Sequence, residues 1–126
     1  MSKAAPLTRP TAAELNLLRV LWPIAPATVK QVHQAMQVER ADVTYATVLR
    51  QMQIMHSKGL LTRDESERSH VYAPTQSQNL LQSSLLKELI HKAFSGSGKA
   101  LVMAALRKYV TQEEREEGNV PGVVEG

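Results

Sequence analysis

Cysteine is absent from the 126 residues. That excludes disulfides, thiolate metal sites and cysteine nucleophiles together, and it fits a reducing compartment. Aromatic residues are scarce, at 4% with one Trp and one Phe, so the core must be aliphatic. No run approaches the roughly 18–20 apolar residues of a membrane span. The opening MSKAAPLTRPTAAELN has no apolar signal-peptide centre. A cytoplasmic location with no membrane partner is the expectation. The four histidines, His33, His56, His70 and His91, lack paired ligand spacing, so neither metal nor cofactor is expected. Aspartate occurs only at Asp42 and Asp64, and no nucleophile–base set is visible, which argues against an enzyme.

What is present suits one folded domain, or one small domain with an appendage. The apolar fraction is 43% and the charged fraction 21%, ordinary for a globular chain. The net charge of +3 sits entirely in residues 1–75, which hold nine Lys/Arg against six Asp/Glu. Residues 76–126 hold six of each. A basic front and a neutral back suggest an anion-binding module joined to something else.

Four threonines are followed three residues on by Glu or Gln: Thr11–Glu14, Thr28–Gln31, Thr75–Gln78 and Thr111–Glu114. Each pair fits a capping box at a helix start. The apolar spacing predicts a first helix over Ala12–Trp22 with Leu15, Leu18 and Leu21/Trp22 inward, stopped by Pro23. A second is expected over Val29–Met36, with Val29, Val32 and Met36 inward. A third, Tyr45–Lys58, is capped by Thr44, turns Val48, Leu49, Met52 and Met55 inward, and ends at Gly59. Two strand-like runs, from Leu60 and up to Pro74, flank a polar turn and predict a hairpin. A fourth helix is expected over Gln76–Phe94. The fifth, Lys99–Val110, contains Ala100–Leu106, which is apolar all round. Such a helix must be buried on all sides, and so small a chain implies a partner copy. The tail from Gly118 is expected to be disordered after a short polar helix.

Two short helices, a third with a polar outer face and a basic hairpin describe a winged helix-turn-helix. The fold expected is mainly α with a small β-hairpin wing, followed by a C-terminal helical region. A major groove about 12 Å wide admits one helix, whose first turns reach base edges. Candidate DNA-binding residues are Ala46, Thr47 and Arg50 on the third helix, Thr44 and Tyr45 at its tip, and Arg63, Arg68 and His70 on the hairpin. Arg9, before the first helix, is a weaker candidate for phosphate. Each has a plainer use: Thr44 as a helix cap, Tyr45 as cover for the core edge, the arginines as solvated charge. Trp22 is expected in the core.

These segments carry a resemblance. LTRPTAAELNLLRVLWP, TVKQVHQAM, TYATVLRQMQIMHSKGLLTR, VYAPT and GSGKALVMAAL resemble the BlaI/MecI penicillinase-repressor family over roughly residues 7–110. The resemblance implies a dimeric repressor that binds palindromic operator DNA through the winged domain and dimerises through C-terminal helices. It also implies control of antibiotic-resistance or copper-homeostasis genes. The copper-responsive members carry a cysteine tail, which this chain lacks. An inducing protease or membrane-linked sensor would be a further partner. However, the family's Asn–Phe cleavage pair aligns here with Ala104–Ala105.

The organisation expected is a winged DNA-binding domain over residues 1–75, a dimerisation region over 76–110, and a polar helix with a tail over 111–126. The dimer contacts expected are Leu81, Leu85, Leu89, Ile90 and Phe94 on the fourth helix, with Leu101, Val102, Ala105 and Leu106 on the fifth. A protein-interaction module with no nucleic-acid role is the alternative. A ligand-sensing repressor stays open, although the few aromatics and short back half leave little room for a pocket of several hundred Å3.

Overall fold

The structure is a computed structural model and describes residues 9–111 and 114. Its elements run α1 (Ala12–Leu21), α2 (Val29–Gln37), α3 (Tyr45–Ser57), β1 (Leu61–Asp64), β2 (Val71–Pro74), α4 (Gln78–Ala93) and α5 (Gly98–Lys108). The chain forms two compact units, the first ending at Leu81 and the second beginning at Gln82.

In the first unit the capping boxes at Thr11 and Thr28 both form. Thr44 caps α3 through the Thr47 N–H. Thr75 does not cap α4: its hydroxyl donates to the Gly59 carbonyl at 2.7 Å. Ser77 takes the cap instead, accepting from the Leu80 N–H, so α4 starts two residues later than the spacing predicts. The fourth box forms, with Thr111 and Glu114 bonded reciprocally at 3.0 and 3.1 Å. The polar helix and tail expected beyond it lie outside the described residues.

The core of this unit is aliphatic. Leu17, Leu18, Leu21, Val32, Val48, Met52 and Met55 are essentially sealed from water. On α1 the buried stripe is Glu14, Leu17, Leu18 and Leu21, an i, i+3, i+4, i+7 face. Leu15 is only half-buried, so the expected register was shifted, because the stripe's first position holds a glutamate. Trp22 ends α1 half-buried, its indole N–H donating to the Gln76 carbonyl at 3.0 Å. Leu49 of α3 is also half-buried, beside the three sealed side chains.

α3 ends in a Schellman closure: Leu60 N–H reaches the Met55 carbonyl and Gly59 N–H the His56 carbonyl. Gly59 has φ 84°, a left-handed conformation that costs glycine nothing. β1 and β2 pair antiparallel, with Arg63 opposite Tyr72. Ala27 adds a bridge to Tyr72 through two backbone hydrogen bonds of 2.9 and 2.8 Å. That bridge ties the entry to α2 against the wing.

Glu14 is 5% exposed and bonds three ways. It accepts from the Thr11 N–H at 2.9 Å and from Lys58 Nζ at 2.8 and 2.9 Å. Burial pushes its carboxyl up, but the Lys58 ammonium and the Thr11 donors outweigh that and hold it below the usual carboxylate range.

In the second unit, α4 closes with the Gly96 N–H on the Ile90 carbonyl, and Ser97 caps α5 through the Ala100 N–H. No residue of α5 is buried. The expectation of burial on all sides is therefore not met within a single chain. Among the described residues no helix is long and apolar enough to cross a membrane.

Glu14→Ala should destabilise the protein by about 2–3 kcal/mol, since it strands a half-buried ammonium and removes a cap partner. Urea unfolding measures this. The carboxyl pKa falls on folding, so its contribution is complete above the unfolded value, 4.5, and is lost as pH drops through the lower folded value. The gap between wild type and variant should therefore narrow in acid.

Candidate nucleic-acid interface

α3 lies between two grooves of opposite character. Both belong to the first unit. One, about 830 Å3, runs between the start of α1, the α2–α3 turn and the α3 flank bearing Thr44, Thr47, Arg50 and Ile54. The other, about 360 Å3, runs between the start of α2, the wing and the opposite α3 flank bearing Tyr45, Leu49 and Gln53. The inward stripe Val48, Met52 and Met55 divides the two flanks.

The wing-side groove gathers four of the expected residues: Tyr45, Arg63, Arg68 and His70. It also brings in Gln53, which the helix spacing puts on the outer face of α3, and Thr28 and Lys30, which the sequence reading missed. Its cations are Lys30, Arg63 and Arg68, and no carboxylate lines it. Lys30 carried a signal that could have been noticed. It sits in the first turn of α2, where a cation opposes the helix dipole, so local stability does not explain it.

The cations differ in freedom. Arg68 and His70 are exposed on the wing turn. Arg63 is half-buried, and the Tyr72 hydroxyl and the Glu65 carboxylate (2.6 Å from Nε) hold its guanidinium above its usual pKa. It therefore acts as a brace for the hairpin. The Asp64 carboxylate accepts from the Ser66 N–H at 2.9 Å and is held below its ordinary pKa by that bond, which tightens the turn.

The other expected residues lie along α3. Thr44 accepts from the Thr47 N–H at 3.1 Å and donates to its hydroxyl at 2.9 Å. Tyr45 is 47% exposed. Its ring meets His33 edge-on at 5.9 Å, and His33 donates from Nε2 to the Val43 carbonyl. Tyr45 is thus both core cover and groove wall. Ala46 and Arg50 are exposed, and among the described residues Arg50 has no hydrogen-bond or ion-pair partner. Arg9 is exposed ahead of α1 and lines neither groove.

Of the expected dimer contacts, Leu81 is 5% exposed and packs in the first unit near Leu18, Trp22 and Leu60. It is core, not surface. Leu89 and Val102 are exposed, while Leu85, Ile90, Phe94, Leu101, Ala105 and Leu106 are half-buried. Leu80, Leu86 and Met103 are also exposed. Among the described residues no group of three or more His, Asp or Glu side chains converges as a metal site would require.

A three-helix unit whose third helix stands exposed beside a two-stranded hairpin is a winged helix-turn-helix. A sequence model of the penicillinase repressor family matches residues 10–117, and the chain belongs to that family. It is 32% identical to proteins named transcriptional regulator BlaI from two strains of Mycobacterium tuberculosis, CDC 1551 / Oshkosh and H37Rv. Those alignments cover 93% of this chain and 94% of each relative.

Thr44→Ala should lower stability by about 1 kcal/mol through loss of the α3 cap, read from the shift in thermal midpoint.

Proposed function

We propose that the protein is a homodimeric transcriptional repressor. It recognises a palindromic operator with α3 in the major groove and the wing on the flanking backbone. The observation that carries this reading is the joint placement of Arg50 on α3, without a partner among the described residues, and a groove lined by Lys30 and Arg68 with Arg63 braced by Glu65 behind them. The first supplies a bidentate donor for a base edge, and the second supplies a seat for phosphate. Membership of a repressor family and relatives named as transcriptional regulators support it.

In this reading residues 1–75 form the DNA-binding part and 76–110 the dimerisation part. Thr44, Thr47 and Tyr45 meet the backbone beside α3, Ala46 allows close approach to the bases, and Arg9 reaches phosphate ahead of α1. Arg68 and Lys30 neutralise backbone charge, and His70 hydrogen-bonds to it. The protein acts in the cytoplasm, where its DNA lies. Genes for antibiotic resistance are the class of target that the family suggests. No catalytic role is proposed.

The dimer face combines Leu85, Leu86, Leu89, Ile90 and Phe94 of α4 with Leu101, Val102, Met103, Ala105 and Leu106 of α5. An apolar helix with no buried residue in its own chain loses that exposed surface by pairing with a second copy. Sedimentation at micromolar concentration should give a dimer, and Leu101→Glu should shift it to monomer by placing an unpaired charge in the interface. A wild-type monomer would overturn this part.

DNA binding is tested on a duplex selected from a random pool, with a scrambled control. Affinity should fall about 10³–10⁵-fold between 50 and 200 mM salt if about 6–10 phosphates are neutralised. Arg50→Ala should lose affinity for the selected duplex and little for the control, at a cost of about 1–3 kcal/mol. Arg68→Ala and Lys30→Gln should weaken both alike and reduce the salt slope by about 1 per site. Folded variants that all bind like wild type would assign the winged domain to protein interaction instead.

A further inference from the structure

The groove on the α1 side of α3 differs from the wing-side groove in size, lining and charge. We propose that it binds a small organic monoanion with an apolar body, of the aryl carboxylate or sulfonate class. Its volume of about 830 Å3 lies within the range of small-molecule sites, roughly 300–1,000 Å3. The space lies in the winged domain, not in the back half, where little room for such a pocket was expected.

The floor is apolar. Ala13 of α1, Met36 of α2, Val43 of the turn and Ile54 of α3 line it. Ile54 is 43% exposed, on a helix face that otherwise bears Thr, Arg, Gln and Ser. Core packing does not account for a large aliphatic side chain there, and if α3 lies in the major groove a thymine methyl is one partner for it. An apolar ligand body is another, because covering that side chain removes it from water.

Charge selects the rest of the ligand. Four ionic side chains line the groove: Glu14, Arg40, Asp42 and Arg50. Glu14 is taken by Lys58 and Thr11, and Asp42 lies 4.0 Å from Arg40. That leaves Arg50, which has no partner among the described residues. One unmet positive charge at the edge of an apolar floor is complementary to one carboxylate or sulfonate on an apolar ring. No acid lines the wing-side groove, where Lys30 and Arg68 stand beside an Arg63 held by Glu65, whereas two acids and an aliphatic floor line this one. Because an occupant would engage Arg50, it should also exclude operator DNA. That consequence, unlike the site itself, rests on the reading of Arg50 as a base contact.

Anilinonaphthalene sulfonate, an apolar body with one sulfonate, is a suitable probe. Titrated into the full chain it should show saturable fluorescence enhancement. Ile54→Asn and Arg50→Gln, both surface changes, should each weaken it about tenfold or more. Because the exposed faces of α4 and α5 could also take the probe, amide NMR shifts locate it, and Ala13, Val43 and Gln51 should move. The selected duplex should displace the probe. Enhancement indifferent to both variants, or shifts confined to residues 82–108, would overturn the site. A chain that binds no duplex, yet loses the probe in both variants, keeps the site and refutes the DNA reading. A ternary complex of probe and duplex on wild type refutes only the exclusion.

Discussion

The geometry of the winged domain depends on one carboxylate. Glu14 closes the capping box of α1 and takes the ammonium of Lys58, the residue that ends α3. A buried carboxylate is costly unless its lone pairs are matched, and three hydrogen bonds from two donors match it here. The start of α1 is thereby held to the end of α3. Leu17, Leu18 and Leu21 of α1 are sealed from water, as are Val48, Met52 and Met55 of α3. Apolar packing alone is non-directional. The ion pair adds a direction, and so specifies which face of α3 is left exposed.

That exposed helix separates two different chemistries. On the wing side, the Ala27–Tyr72 bridge draws the start of α2 up to the hairpin, placing Lys30 with Arg68 and His70. The surface there suits a polyanion. On the α1 side the same helix borders an aliphatic floor with balanced charges and one spare guanidinium. Arg50 lines this second groove and is exposed, so in the proposed readings a small molecule and a base edge would compete for the same side chain. If both bind as proposed, DNA release needs no long-range rearrangement, only occupation of the groove.

The second unit follows a different logic. α5 has an apolar sequence and no buried residue, and α4 buries only Leu81. These helices keep their shape through local devices: the Ser97 cap, the Gly96 closure on Ile90 and the Glu88–Lys92 pair at i, i+4. Their apolar surface is left over from the chain's own folding, which is the physical basis for the proposed pairing with a second copy.

Much of this was legible from residue order alone. Thr11, Thr28 and Thr44 cap helices because the needed bond partners lie three residues away. Gly59 ends α3 because the left-handed turn there needs no distant support. The period of the apolar residues gave the number and type of elements, and family membership followed from the same segments. What the order could not decide depended on residues far apart in the chain. Thr75 satisfies the Gly59 carbonyl instead of capping α4, since the hairpin brings them together. Glu14 reads as a capping residue until Lys58, forty-four positions on, makes it a core residue. Leu81 looks like part of an open stripe until the first unit buries it. Lys30 and Gln53 join the wing only through the Ala27 bridge, and Ile54 becomes a groove floor only opposite α1. Local hydrogen bonding is written in short spacing, whereas burial and convergence exist only after the chain has folded on itself.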